Sequence, residues 1–142
     1  MDARIYVKGL SGSDEESHED NAFFSVGTYE YTPAKTVITY PESRLTGMNG
    51  TETRVVVTPG WVVVERRGEV ESKMLYEEGE RHLIRYATPY GHFMMGIDTH
   101  KITSRLTETG GELNIYYDID FNGSLPIESR VQIRVSTGGE RL

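Results

Sequence analysis

The sequence predicts an all-β chain: an antiparallel meander of about eight to ten strands, closed or nearly closed into a small barrel. Three observations carry this. Apolar and polar residues alternate with a period of two through much of the chain, and tight-turn signals fall at short intervals between the alternating runs. No window long enough for a helix repeats apolar residues at i, i+3, i+4 and i+7 without glycine or proline interrupting it. Crossover helices and a parallel sheet are thereby disfavoured, and short connections make neighbouring strands antiparallel. A meander of this length must split into two sheets or close on itself to remove its edges, and uniformly short turns favour closure.

In chain order, the candidate strands begin with residues 2–10, 22–32 and 35–41. Between the first two lies the acidic run Ser11 to Asn21, which has no apolar residue and reads as a solvated, mobile loop. Pro41 to Gly50 is a longer connection with two glycines and Met48, either a lid over a barrel mouth or an irregular crossover. Strands 51–58 and 61–67 flank Pro59-Gly60, and 70–77 follows Arg67-Gly68. Strand 81–88 lies between Glu78-Gly79 and Pro89-Tyr90-Gly91, with 92–98 and 101–108 beyond it. Strand 112–122 has the clearest alternation, Leu113, Ile115, Tyr117, Ile119 and Phe121 against Asn114, Tyr116, Asp118 and Asp120. Asn122-Gly123, a strong tight-turn dipeptide, then leads through Pro126 to strand 127–136 and a loose tail over 137–142.

A chain of 142 residues suits one domain with one core, here residues 1–142. Its net charge of −7 disfavours nucleic acid and anionic membrane surfaces as partners, since both require clustered Lys and Arg. Cysteine is absent, which removes disulfides, thiolate metal sites and a cysteine nucleophile. The first residues lack a basic segment followed by a long apolar one, so cytoplasm is the expected compartment. Asn49-Gly50-Thr51 and Asn122-Gly123-Ser124 match the glycosylation acceptor pattern, but without a secretory signal they read as turns.

The order Tyr40-x-Glu42, Gly47-Met48, Arg66-x-Gly68, Met74, Gly79, Tyr86-x-Thr88, Gly91, Thr99, Gly111 and Tyr117 resembles the YwiB-like family of small bacterial proteins, a domain-of-unknown-function family. The resemblance spans about residues 3 to 135. It implies a calycin-like or lipocalin-like barrel in a bacterial cytoplasm, with no established activity, cofactor or catalytic residue to transfer.

The chemistry must therefore come from parity. If Tyr117 faces inward, neighbouring segments place Val62, Val64 and Arg66 inward, with Val70, Ser72, Met74 and Tyr76, then His82, Ile84 and Tyr86, then Phe93, Met95 and Ile97. Arg66, Tyr86, Tyr117, Met74 and His82 are the candidate ligand-binding residues. An arginine on an apolar face is costly unless it meets a carboxylate, carbonyls, a ring or a ligand anion. Arg66 can thus close one end of the barrel over an aromatic ring or wait for an anionic or carbonyl-bearing ligand.

Other candidates are weaker. His92 and His100 lie about 26 Å apart along an extended strand, too far to share a metal. His82 could meet either across strands or ligate a haem iron, but no other ligand set is visible, so a satisfied or surface histidine is the simpler reading and no metal or other cofactor is expected. Asp118 and Asp120 project from one face about 7 Å apart, but Glu128, Arg130 and Arg134 on the next strand make a surface charge ladder the simpler reading. No G-x-S-x-G, H-E-x-x-H or phosphate-cradling glycine loop is present, which leans against an enzyme. Val55-Val56-Val57 and Trp61 to Val64 put apolar residues on both faces of one hairpin. The outer Val56, Trp61 and Val63 then need a cover: a second copy in a homodimer, another protein, the N-terminal strand or the Pro41 to Gly50 loop. Three functions stay open: a barrel for a small, partly apolar or anionic ligand; an interaction module using its outer face; and an enzyme with an unrecognised site. Internal volume separates the first two, since a filled interior favours the second.

Overall fold

Alternation with a period of two turns into strands wherever the backbone can pair with a neighbour, and ten such runs do so among the described residues. The computed structural model describes residues 1–11, 21–42 and 50–137. Within them lie β1 (Asp2–Ser11), β2 (Asn21–Tyr31), β3 (Thr36–Pro41), β4 (Thr51–Thr58), β5 (Trp61–Gly68), β6 (Ser72–Glu77), β7 (Arg81–Thr88), β8 (Gly91–Thr107), β9 (Gly110–Phe121) and β10 (Ile127–Ser136). The acidic loop expected over 11–21, the lid or crossover over 41–50 and the tail over 137–142 fall largely outside the described residues.

All neighbouring strands pair antiparallel in one sheet, ordered β6-β5-β4-β3-β2-β1-β10-β9-β8-β7. The sheet curls until its two outer strands face each other. β6 and β7 are joined by the turn between them at one end and by a single bridge at the other, where Glu71 and Ala87 exchange two backbone hydrogen bonds of 3.0 Å. The result is a nearly closed antiparallel barrel. Because strands alternate in direction, odd-numbered strands finish and even-numbered strands start at the same end, called upper here. Among the described residues, no helix is long and apolar enough to cross a membrane.

Candidate strands 92–98 and 101–108 are one strand, β8, broken in register rather than in path. Its pairing steps from Thr99↔Tyr117 to Lys101↔Tyr116, so His100 is the extra residue of a bulge. Inward parity consequently changes from Met95 and Ile97 to Ile102 and Leu106. The period of two is lost at that point in the sequence although the strand continues.

One turn and one close approach show local sequence acting directly. At the β9–β10 turn Asn122 and Gly123 both have positive φ, 53° and 79°, the combination a tight hairpin requires. Ser124 N–H then bonds Phe121 C=O at 3.0 Å. At Gly27 a Cβ would stand 1.9 Å from the carbonyl oxygen of Thr39, so β2 and β3 approach only because that side chain is missing.

The lower half of the interior is filled. Ile5, Tyr29, Ile38, Val62 and Leu113 are fully buried there, each aliphatic one worth about 1.5–3 kcal/mol of burial. The Tyr29 hydroxyl donates to the carbonyl of Thr107 at 2.6 Å. Burial, with Tyr31 alongside, pushes that phenol up to about 12.

Candidate functional site

Moving up the same strands, inward positions change character. β1 goes from Ile5 to Gly9, β3 from Ile38 to Tyr40 with Glu42 just beyond its end, β5 from Val62 to Arg66, and β9 from Leu113 to Tyr117. Large aliphatic groups give way to glycine, tyrosines and an ion pair. A cavity of about 370 Å³ remains between them, walled by residues such as Val64, Met74, Tyr86, Met95, Ile119 and Phe121.

Among the described residues Arg66 is the one cation on this lining. Its side chain is 18% exposed, and Glu42, 2% exposed, holds a carboxylate oxygen 3.6 Å from Arg66 Nε. That separation supports attraction without a hydrogen bond, and Glu42 Oε2 instead accepts the Thr53 hydroxyl proton. Arg66 Nε is buried without a hydrogen-bond partner among the described residues, while an Nη1 donates to the Met74 sulfur at 3.3 Å. A thioether is a weak acceptor, so among the described residues the guanidinium is held in place but poorly satisfied at Nε and Nη1. Burial pulls its pKa down, yet Tyr40, Tyr76, Glu42 and Tyr86 together raise it, so the positive charge is kept.

Tyr76 and Tyr117 meet edge to face with ring centroids 5.0 Å apart. Burial raises the phenols of Tyr40, Tyr76 and Tyr117, in each case against the lowering influence of Arg66. Among the described residues the cavity therefore offers hydroxyl groups that stay protonated, one fixed cation and one carboxylate, and no arrangement of nucleophile, base and orienting group.

Of the residues singled out from the sequence, Arg66, Met74, Tyr86 and Tyr117 line this cavity together. His82 does not: its Nε2 lies 2.9 Å from Glu77 Oε1 at the lower end of β7, and it is not part of the cavity lining. Parity was right for Ile84 and Tyr86 but could not tell how far along the barrel His82 sits. Phe93 is 40% exposed at the upper rim rather than enclosed. Glu42, Tyr40 and Thr53 were not singled out as site residues. The signal for Glu42 was present in its parity with Ile38 and Tyr40, but it lies just beyond the strand's end.

The carboxylate ladder is also corrected. Asp118 pairs with His100 at 3.2 Å and Asp120 with Arg81 at 2.8 Å, both from the β7–β8 side. Arg130 instead lies 5.1 Å over the Tyr116 ring and Arg134 pairs with Glu112. Arg81 also bonds Asp98 at 2.7 Å, and it can lie flat on the wall because Gly96 leaves room for its guanidinium. His92 accepts a hydrogen bond from Arg85. Among the described residues, no three His, Asp or Glu side chains gather in a way that could hold a metal.

On the outer face Val56 is buried, Val63 half-buried and Trp61 37% exposed. Register extends them into a row, Val37↔Val56↔Val63↔Leu75, across four strands. The N-terminal strand does not cover this row, because β1 is occupied between β2 and β10.

Comparison with known proteins agrees with this architecture. The chain is 28% identical over 115 residues to the uncharacterized beta-barrel protein YwiB of Bacillus subtilis (strain 168), covering 81% of this chain and 79% of that one. The crystal structure of the ywiB protein from Bacillus subtilis superimposes with a TM-score of 0.77 at 23% identity, covering 96% of this chain and 92% of that chain. That likeness establishes the shared barrel. Residues 5–133 match the family described as a domain of unknown function, DUF1934, and the chain belongs to that family.

Proposed function

We propose that the barrel binds a small, partly apolar molecule in its upper half, in the manner of a lipocalin-like carrier, with Arg66 meeting an acidic or carbonyl-bearing group. The observation that carries this reading is the cavity of about 370 Å³ above a filled core, a volume in the range of small-molecule sites. The poorly satisfied guanidinium supports it, because a ligand oxygen at Arg66 would complete bonds that Met74 makes weakly. The absence of cysteine and the acidic charge suit a role in the reducing cytoplasm.

Native mass spectrometry of protein purified gently from its own host tests the reading. We expect a retained small mass on the wild type and none on Ile119→Trp, which fills the cavity from β9. Wild type and filled variant both free of added mass, with no thermal stabilisation by a library of carboxylates, phosphates and fatty acids, would count against it.

The outer row of Val37, Val56, Val63 and Leu75 favours a second reading, in which this face joins two copies. Sedimentation should then give a dimer that Val63→Glu dissociates with the β-signal intact. A monomer at high micromolar concentration removes it.

A further inference from the structure

The wall of the barrel is interrupted between β6 and β7, and a basic cleft of about 430 Å³ opens at the upper part of that interruption. Its lining includes Arg66, Arg67, Ser72, Arg85 and His92, with Glu71 the one carboxylate among the described residues. Among the described residues three arginines line the cleft with Glu71, and Glu42 reaches Arg66 from the cavity side, in a chain whose net charge is −7.

Parity makes the cleft more than a surface dent. Arg66 and Ser72 share the inward parity of Val64 and Met74, whereas Arg67, Arg85 and His92 have the outward one. Inward and outward residues border one space only where the wall between them is open. Arg66 borders both this cleft and the interior cavity, so the two adjoin at that residue.

The cleft also holds polar groups without hydrogen-bond partners among the described residues, although the Glu42 carboxylate stands 3.6 Å from Arg66 Nε. Ser72 Oγ and Arg66 Nε are both buried with no hydrogen-bond partner among the described residues. Among those residues no carboxylate lies within ion-pair distance of Arg67 or Arg85, and the His92 ring takes only the Nε of Arg85. Arginine forks match the oxygens of carboxylates and phosphates.

We propose that the occupant of the barrel is an acidic amphiphile whose apolar part fills the interior cavity and whose oxyanion lies in the β6–β7 cleft, between Arg66 inside and Arg67 and Arg85 outside. This rests on the reading of the barrel as a ligand carrier and adds the ligand's class and its orientation. A carboxylate and a phosphate monoester share the required chemistry.

Isothermal titration calorimetry with decanoate, decyl phosphate, decanol and inorganic phosphate tests it, using wild type and the exposed double variant Arg67→Gln/Arg85→Gln, with circular dichroism as the folding control. Wild type should bind at least one of the two acidic amphiphiles about tenfold or more tighter than decanol, and which one it prefers identifies the headgroup. The double variant should lose that margin while its affinity for decanol stays unchanged. If wild type does not separate the acidic amphiphiles from decanol, or the double variant keeps the margin, the cleft assignment is overturned while decanol binding leaves the carrier reading standing. Inorganic phosphate binding as tightly as decyl phosphate overturns the coupling of cleft to cavity. Binding of none of the four overturns both.

Discussion

The lower and upper halves of the barrel are built from the same ten strands with the same alternation, yet they solve different problems. Below, Ile5, Ile38, Val62 and Leu113 meet at the axis and exclude everything else. Above, Gly9, Tyr40, Glu42, Arg66 and Tyr117 occupy the corresponding inward positions and leave a cavity. A period of two decides only which residues face inward. Whether the interior is solid or hollow depends on the volume and polarity of those residues, taken together around the barrel.

The largest test of this contrast compares one deletion in each half. Leu113→Ala should cost about 3–5 kcal/mol, because close-packed neighbours cannot collapse into the space. Ile119→Ala, on the cavity wall, should cost less than about 1.5 kcal/mol, since part of its surface already faces open space. Equal losses in urea titrations would mean that the upper half is packed as tightly as the lower.

A smaller effect is expected at the ion pair. Glu42→Leu should cost about 2–3 kcal/mol, at the lower end for breaking a buried pair because Arg66 keeps some contact with solvent. The double variant Arg66→Met/Glu42→Leu should recover most of that loss, as an apolar pair replaces two charges. A double-mutant cycle by chemical denaturation reads the coupling. Additive losses would show that the two charges act separately.

The smallest effect concerns the wall rather than the interior. The hydrogen bond from Arg81 is the main cause holding the Asp120 carboxyl below its ordinary pKa. Its stabilisation is therefore present above the ordinary carboxylate pKa and is lost as pH falls through the lowered folded value. Asp120→Asn should flatten the acid side of the stability profile and leave the neutral-to-alkaline side parallel to wild type. An unchanged acid slope would remove Asp120 as a contributor.

The strands were legible because a barrel with one core imposes strict alternation, and β9 and β10 display it almost without exception. Arg66, Met74, Tyr86 and Tyr117 could be grouped for the same reason. His82 illustrates what parity lacks: it fixes the side of the wall but carries no coordinate along the axis, and Glu77 holds that imidazole near the lower end. β8 illustrates another gap. The bulge at His100 shifts parity by one, so the sequence reads as two strands although the backbone path is continuous. The charge partners of Asp118 and Asp120 were assigned to β10 because it follows in sequence, whereas β8 and β7 on the other flank reach them.

The place of the open seam bears on how the chain finds this structure. β6 and β7 follow each other in sequence yet end the sheet, while β1 and β10, from opposite ends of the described chain, pair from Arg4↔Ser136 to Ser11↔Ser129 in its middle. The runs β1 to β6 and β7 to β10 need only hairpin contacts between successive strands. Joining them at β1 and β10 closes nearly the whole chain into one loop, and that entropy must be spent before the new ladder returns any stability. Slow refolding is the consequence, with the two meanders formed ahead of their union. A circular permutant opened at Gly79 and linked between β10 and β1 converts that distant pairing into a hairpin, and stopped-flow measurements should find it refolding faster than the parent.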